Sequence, residues 1–166
     1  MHINDSIRAS YYKKVFEAVD GLWFMKIEEA TNFDRALDID RRVWEVVPKI
    51  QARALRSLLG LKGHGLEILQ EALTAKFQLE EHEVEFQMEG EELLVKVKKC
   101  PWYGLMRRSG REHLAARVGE TICGTEYPIW MREFGVNGEF KLESLLCGGA
   151  SCCVMRFRIS DKHLVL

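Results

Sequence analysis

Apolar residues recur at two different periods along this chain, and the change of period falls near residue 80. Over the first part the spacing is three and four residues, the pattern of helices with one apolar face. Ile7, Tyr11, Val15, Ala18, Val19 and Leu22 trace a first helix, with Asp5 or Ser6 placed to cap it. Val43, Trp44, Val47, Ile50, Ala54, Leu55 and Leu58 trace a second. Pro48 within it predicts a helix start or a kink, because proline has no N–H to donate and its ring collides with the preceding turn. Gly60, Gly63 and Gly65 then break the pattern. Leu66, Leu69, Ala72, Leu73 and Phe77 resume it on one face of a third helix.

From Val84 the period becomes two. Val84, Phe86 and Met88 alternate with Glu83, Glu85 and Gln87, and Glu89-Gly90-Glu91 reads as a turn. Leu93, Val95 and Val97 form the returning strand, which ends at Cys100-Pro101. Ser109-Gly-Arg-Glu112 has the spacing of a capping box. The helix it opens carries Leu114, Val118 and Ile122, and Gly124 to Pro128 predicts an interruption or bend before Trp130 to Phe134. Asn137-Gly138 is a turn signal. Phe140, Leu142 and Ser144 read as a strand, and Cys153, Met155, Phe157 and Ile159 as the inner face of a last one. The predicted fold is α+β in one domain spanning 1–166: helices over 1–80, packed on a small antiparallel sheet of hairpins over 81–166.

With 47% apolar and 30% charged residues the composition is that of an ordinary globular protein. Twenty-four Lys and Arg against 25 Asp and Glu leave a charge of −1, so no nucleic-acid partner is expected. The opening residues show no charged segment followed by an apolar run, and runs such as Leu22 to Met25 fall far short of a bilayer's thickness. No signal peptide, no membrane span and a cytoplasmic location are expected, and there cysteines persist as thiols, thiolates or metal ligands.

Cysteine is unevenly distributed: Cys100, Cys123, Cys147, Cys152 and Cys153 all lie in the last part of the chain. The first three stand at element ends beside Pro101, Gly124 and Gly148, where a backbone can bring ligands around one centre. Strand parity turns Cys153 toward the core and Cys152 away from it. Cys100, Cys123, Cys147 and Cys153 are thus candidate ligands for zinc or an iron–sulfur cluster. They lack the paired C-x2-4-C spacing of structural zinc sites, and a functional thiol or plain core packing are the alternatives. His113 and Glu120 share a helix face and offer a base with an orienting carboxylate; a polar helix face is the alternative. Thr125, Glu126 and Tyr127 are placed to line a pocket. Arg107, Arg108, Arg111 and Arg117 form a basic patch suited to a carboxylate, or simply a solvated face. His64, between two glycines, reads as a surface loop residue. Nucleotide-binding glycine loops, the serine-hydrolase elbow and H-E-x-x-H are absent.

The segments Cys100-Pro-Trp102, Ile122-Cys-Gly-Thr-Glu-Tyr-Pro128 and Leu146-Cys-Gly-Gly-Ala-Ser-Cys-Cys-Val-Met-Arg-Phe157 resemble the L-2-amino-thiazoline-4-carboxylic acid hydrolase family. Gly149 and Cys153 also fit a Gly-x-x-x-Cys pattern similar to that of 4-vinyl-reductase-type small-molecule-binding domains, whose fold is shared by haem nitric-oxide-binding domains. Ala150 and Met155 depart from the Asp and aromatic residue usual there. The resemblance implies a small-molecule-binding or sensory domain with a cysteine-rich site, taking an apolar or carboxylate-bearing molecule. Its second implication is a hydrolase opening a small sulfur- and nitrogen-containing ring, with a cysteine thiolate such as Cys123 as nucleophile or a metal-bound water attacking, and His113 or Glu126 moving protons. A third reading, from the apolar N-terminal helices, is a homodimeric interaction domain whose cysteines fill core.

Overall fold

The computed structural model describes residues 2–160. The chain divides into two compact units, one up to Arg42 and the other from Val43 onward. The helical portion expected over 1–80 is therefore shared between them.

The first unit holds α1 (Asp5–Ala30) and most of α2 (Phe33–Trp44). The cap of α1 is Asn4, one residue earlier than expected, whose side-chain oxygen accepts from Ile7 N–H at 2.9 Å. Asn32 does the same for α2, accepting from Arg35 N–H at 2.9 Å. No residue of α1 is buried, so the apolar face foreseen for this helix is open.

In the second unit α3 (Val47–Leu59) starts with Pro48 in its first turn, where a missing N–H leaves no bond unmade. The helix start expected at Pro48 is thus present, and the pattern forms two helices, parted at Glu45 and Val46. Gly60 ends α3 in the left-handed region at φ +66°. Arg56 ties the following loop down: it donates to Gly63 and Glu133 carbonyls at 3.0 and 3.1 Å and lies 4.6 Å over the Phe134 ring. In α4 (Leu66–Leu79) all five residues of the predicted face are buried.

Strands β1 (Glu83–Glu89), β2 (Glu92–Lys99), β3 (Gly138–Ser144) and β4 (Cys153–Ile159) form an antiparallel sheet in the order β1-β2-β4-β3. The fold is α+β. Alternation places Leu93, Val95, Val97, Met155 and Phe157 on the buried face. The other face is a charged ladder in which Arg156 joins Glu143 and Glu92, and Lys98 meets Glu85.

Two helices lie between the hairpins. α5 (Pro101–Arg108) follows directly from Cys100 and was not foreseen; α6 (Glu112–Glu133) is longer than expected. No capping box forms: Ser109 ends α5 and donates to Met106 O, while Glu112 accepts from Tyr103 O–H at 2.6 Å. Nor does α6 break at Pro128, which lies inside it. The lost N–H partner falls on Gly124, which is exposed, so water can satisfy the carbonyl. The inner face of α6, with Tyr127, Trp130, Met131 and Phe134, joins α4 and the sheet in one core. Among the described residues no helix is long and apolar enough to cross a membrane.

Candidate functional site

Four cysteines approach one another from four places in this second unit. Cys100 caps α5 where β2 ends. Cys153 opens β4 and pairs in register with Val97 of β2, three residues before Cys100. Cys147 stands in a single 3-10 turn, Leu146–Gly148, that precedes β4. Cys123 is mid-way along α6, one turn before Glu126 and Tyr127. The turn is fastened to the strand by Leu146 N–H, which donates to Cys153 Sγ at 3.2 Å. It is fastened to α6 by close approach: a Cβ at Gly119 would stand 2.7 Å from Cys147 Sγ. Glycine at 119 is what lets that sulfur lie against the helix, one turn from Cys123.

The four thiols lie within electrostatic reach of one another. Burial is the main cause lifting each of them above its ordinary pKa, and Cys147 reaches about 11. Beyond burial, Cys123 is raised by Cys100, Cys153 and Cys147, Cys147 by Cys153 and Cys100, and Cys153 by Cys100. Every pair among Cys100, Cys123, Cys147 and Cys153 therefore interacts. Opposing burial, Cys100 has support for its thiolate from the first amides of α5 and from Lys76, and Cys153 from Leu146 N–H. Cys152 lies just before the strand, its carbonyl accepting from Ser144 Oγ at 2.8 Å. Among the described residues, no three Cys, His, Asp or Glu side chains are already spaced as ligands to one ion.

A buried charge network adjoins the thiols. Lys76 and Glu126 are each 5% exposed, with Nζ and Oε1 3.1 Å apart. Lys76 also meets Glu80 at 2.5 Å, and Trp130 Nε1–H donates to Glu126 at 3.3 Å. Burial alone would lower the ammonium's pKa, but Glu126 and Glu80 outweigh it and hold Lys76 charged. Burial pushes Glu126 above the usual carboxylate range, with Lys76 opposing. Beyond burial, Glu126 is the charge that raises Cys123 most. Lys76 was missed in the sequence, although it falls at the spacing of Leu69, Ala72, Leu73 and Phe77 and so lies inside an apolar stripe.

Other sequence candidates stand apart. His113 is exposed near the start of α6. Ten residues of helix separate it from Cys123, about 15 Å along the axis, so the two do not share a site. Glu120 is exposed, and Arg107 pairs with Glu112 at 3.4 Å. His64 is a loop residue packed on Gly135. Glu126 and Tyr127 are in the core; the open groove of about 680 Å³ lies on the opposite side of α6, between Gly124, Pro128, Leu142 and Gly148.

Residues 6–149 match the family of unknown function DUF6125, and the chain belongs to that family. No curated protein and no solved structure matches it.

Proposed function

We propose that this member of the DUF6125 family is a small-ligand-binding or sensory domain whose ligand is held by Cys100, Cys123, Cys147 and Cys153. The observation that supports this is the mutual interaction of all four thiols in a half-buried setting. Such a set resists losing protons by itself, because each thiolate would be desolvated and would repel the next. A soft divalent cation reverses the balance, and four thiolates are the donor set that zinc and iron–sulfur clusters take. The fit is therefore chemical, with Gly119 and Leu146 N–H keeping Cys147 and Cys153 in place. The protein would act in the reducing cytoplasm, where thiols persist. The resemblance to 4-vinyl-reductase-type domains points the same way, toward binding rather than turnover.

The first measurement is metal content and visible absorption of anaerobically purified protein. About one equivalent of zinc is expected, or iron with a sulfide-to-iron charge-transfer band. Cys123→Ser and Cys153→Ser should remove it, and Cys152→Ser should not. Because protons must leave, zinc uptake by metal-free protein should release them and strengthen as pH rises. Protein that takes up neither zinc nor iron under these conditions would sink the proposal.

A second reading has one observation in its favour. Glu126, raised by burial and one turn from Cys123, is placed to hold a proton for a ring-opening hydrolase. Against it, Cys123 is held as a neutral thiol, the weaker nucleophile. Turnover of an amino-thiazoline carboxylate that is lost in Cys123→Ser would restore it; no turnover in wild type removes it.

A further inference from the structure

The 26-residue helix α1 has no buried residue, and apart from Phe24, which packs on Phe33, its larger apolar side chains from Ile7 to Met25 are between 39% and 67% exposed where a soluble surface would carry polar groups. Tyr11, Val15, Ala18, Leu22 and Met25 follow one another at steps of four, three, four and three residues, the 3.5-residue repeat of helices that supercoil about a partner. Tyr12, Phe16 and Trp23 widen the stripe on one side. A helix of this length is about 39 Å long and is held in water mainly by packing rather than by propensity. An apolar face along a helix of this length is suited to a partner.

Charge says which partner. The helix carries Arg8, Lys13, Lys14 and Lys26 against Asp5, Glu17, Asp20, Glu28 and Glu29, a near balance. A helix lying on a membrane surface has a basic polar face instead. The charges are also divided by position: three of the four basic residues lie before residue 15, and four of the five acidic ones from Glu17 onward. Such a helix is complementary to a reversed copy of itself. Four half-exposed aromatic rings offer roughly 100 Å² each. With the aliphatic residues between them, each copy would bury on the order of 800 Å², the size of a stable interface.

We propose that α1 pairs antiparallel with α1 of a second copy across a two-fold axis. In the register that keeps the repeat in contact, Val15 faces Ala18 and Leu22 faces Tyr11 of the other chain. Arg8 then stands near the other chain's Glu28, and Asp5 near its Lys26. The same patch meets itself, so the assembly closes as a dimer.

Sedimentation velocity of the full chain at micromolar concentration tests this. Wild type should run as a dimer and Leu22→Glu as a monomer, with far-UV ellipticity of the second unit's sheet and helices retained. Val15→Glu serves as an independent disruption should Leu22→Glu fold poorly. Arg8→Glu should weaken the dimer roughly tenfold, the scale of one close charge pair, and adding Glu28→Arg to the same chain should restore it. A wild type that stays monomeric overturns the proposal, whether or not it binds neutral lipid vesicles. So does a Leu22→Glu dimer. Failure of Glu28→Arg to rescue also overturns it, since that excludes the antiparallel arrangement.

Discussion

α1 and α6 are the two longest helices, 26 and 22 residues, and they solve opposite problems. In α6, apolar residues face a sheet and the helix α4, so Trp130 is fully buried; in α1 the comparable Trp23 is 67% exposed. Even polar groups go inside along α6, where Glu126 is enclosed with a lysine partner. Along α1 four of the five aromatic rings stay outside, Phe24 alone packing on Phe33. An apolar stripe in a sequence therefore states that a helix needs cover, and only the rest of the fold decides whether the chain supplies it.

The sharpest way to break this comparison is to truncate both tryptophans. Trp130→Ala should destabilise the protein by about 3–5 kcal/mol, the range for deleting a buried aromatic. Trp23→Ala should change the stability of the second unit by less than about 0.5 kcal/mol, as surface substitutions do, and should weaken self-association instead. Denaturant unfolding followed by circular dichroism reads the first effect, and sedimentation the second. Equal losses of stability would mean that Trp23 is covered within one chain.

A smaller effect separates polar from apolar burial along α6. Lys76→Met should cost about 3 kcal/mol, the low end for removing one member of a buried ion pair, because Glu126 can take up a proton. Lys76→Met with Glu126→Leu should recover most of that, since an apolar pair of similar volume avoids the desolvation penalty. If the double variant is no better than the single one, the network is held by more than its own charges.

Much of the second unit was legible because its residues alternate for local reasons. The face of α4 and the inner faces of β2 and β4 follow directly from period, and so does the turn at Gly90, which sits at φ +56°. Elements decided by competition were not legible. Ser109 had the spacing of an N-cap but closes α5 instead, because Pro101 starts a helix eight residues earlier. Gly124 to Pro128 predicts an interruption or bend, yet tertiary packing on both sides of Pro128 keeps α6 unbroken. The cysteines were visible as a set, but their approach depends on Gly119, whose lack of a side chain matters only once the 3-10 turn lies on it. Lys76 was concealed for a related reason: a long side chain in an apolar stripe usually snorkels to water, and here Glu80 and Glu126 hold it inside.

Glycines in the two helices give the finest test. Alanine exceeds glycine in a helix interior by about 1 kcal/mol, so Gly→Ala is stabilising wherever the added methyl finds room. At Gly21 of α1 a Cβ meets nothing within 4 Å, and Gly21→Ala should raise the thermal stability of that helix by the full amount. At Gly119 of α6 the same methyl would stand 2.7 Å from Cys147 Sγ, closer than packed atoms tolerate. Gly119→Ala should cost about 1–3 kcal/mol through overpacking, offset by the helix gain, and leave a net loss of up to about 2 kcal/mol. Other neighbours do not matter, since Leu145 and Trp102 lie 4.0 Å away at ordinary contact. Removing the sulfur should therefore reverse the sign: in a Cys147→Ala background, Gly119→Ala should stabilise by about 1 kcal/mol. A thermodynamic cycle over the four proteins isolates this coupling. If Gly119→Ala is stabilising in both backgrounds, Cys147 turns away without cost, and the thiol cluster loses the contact that seats its third member against α6.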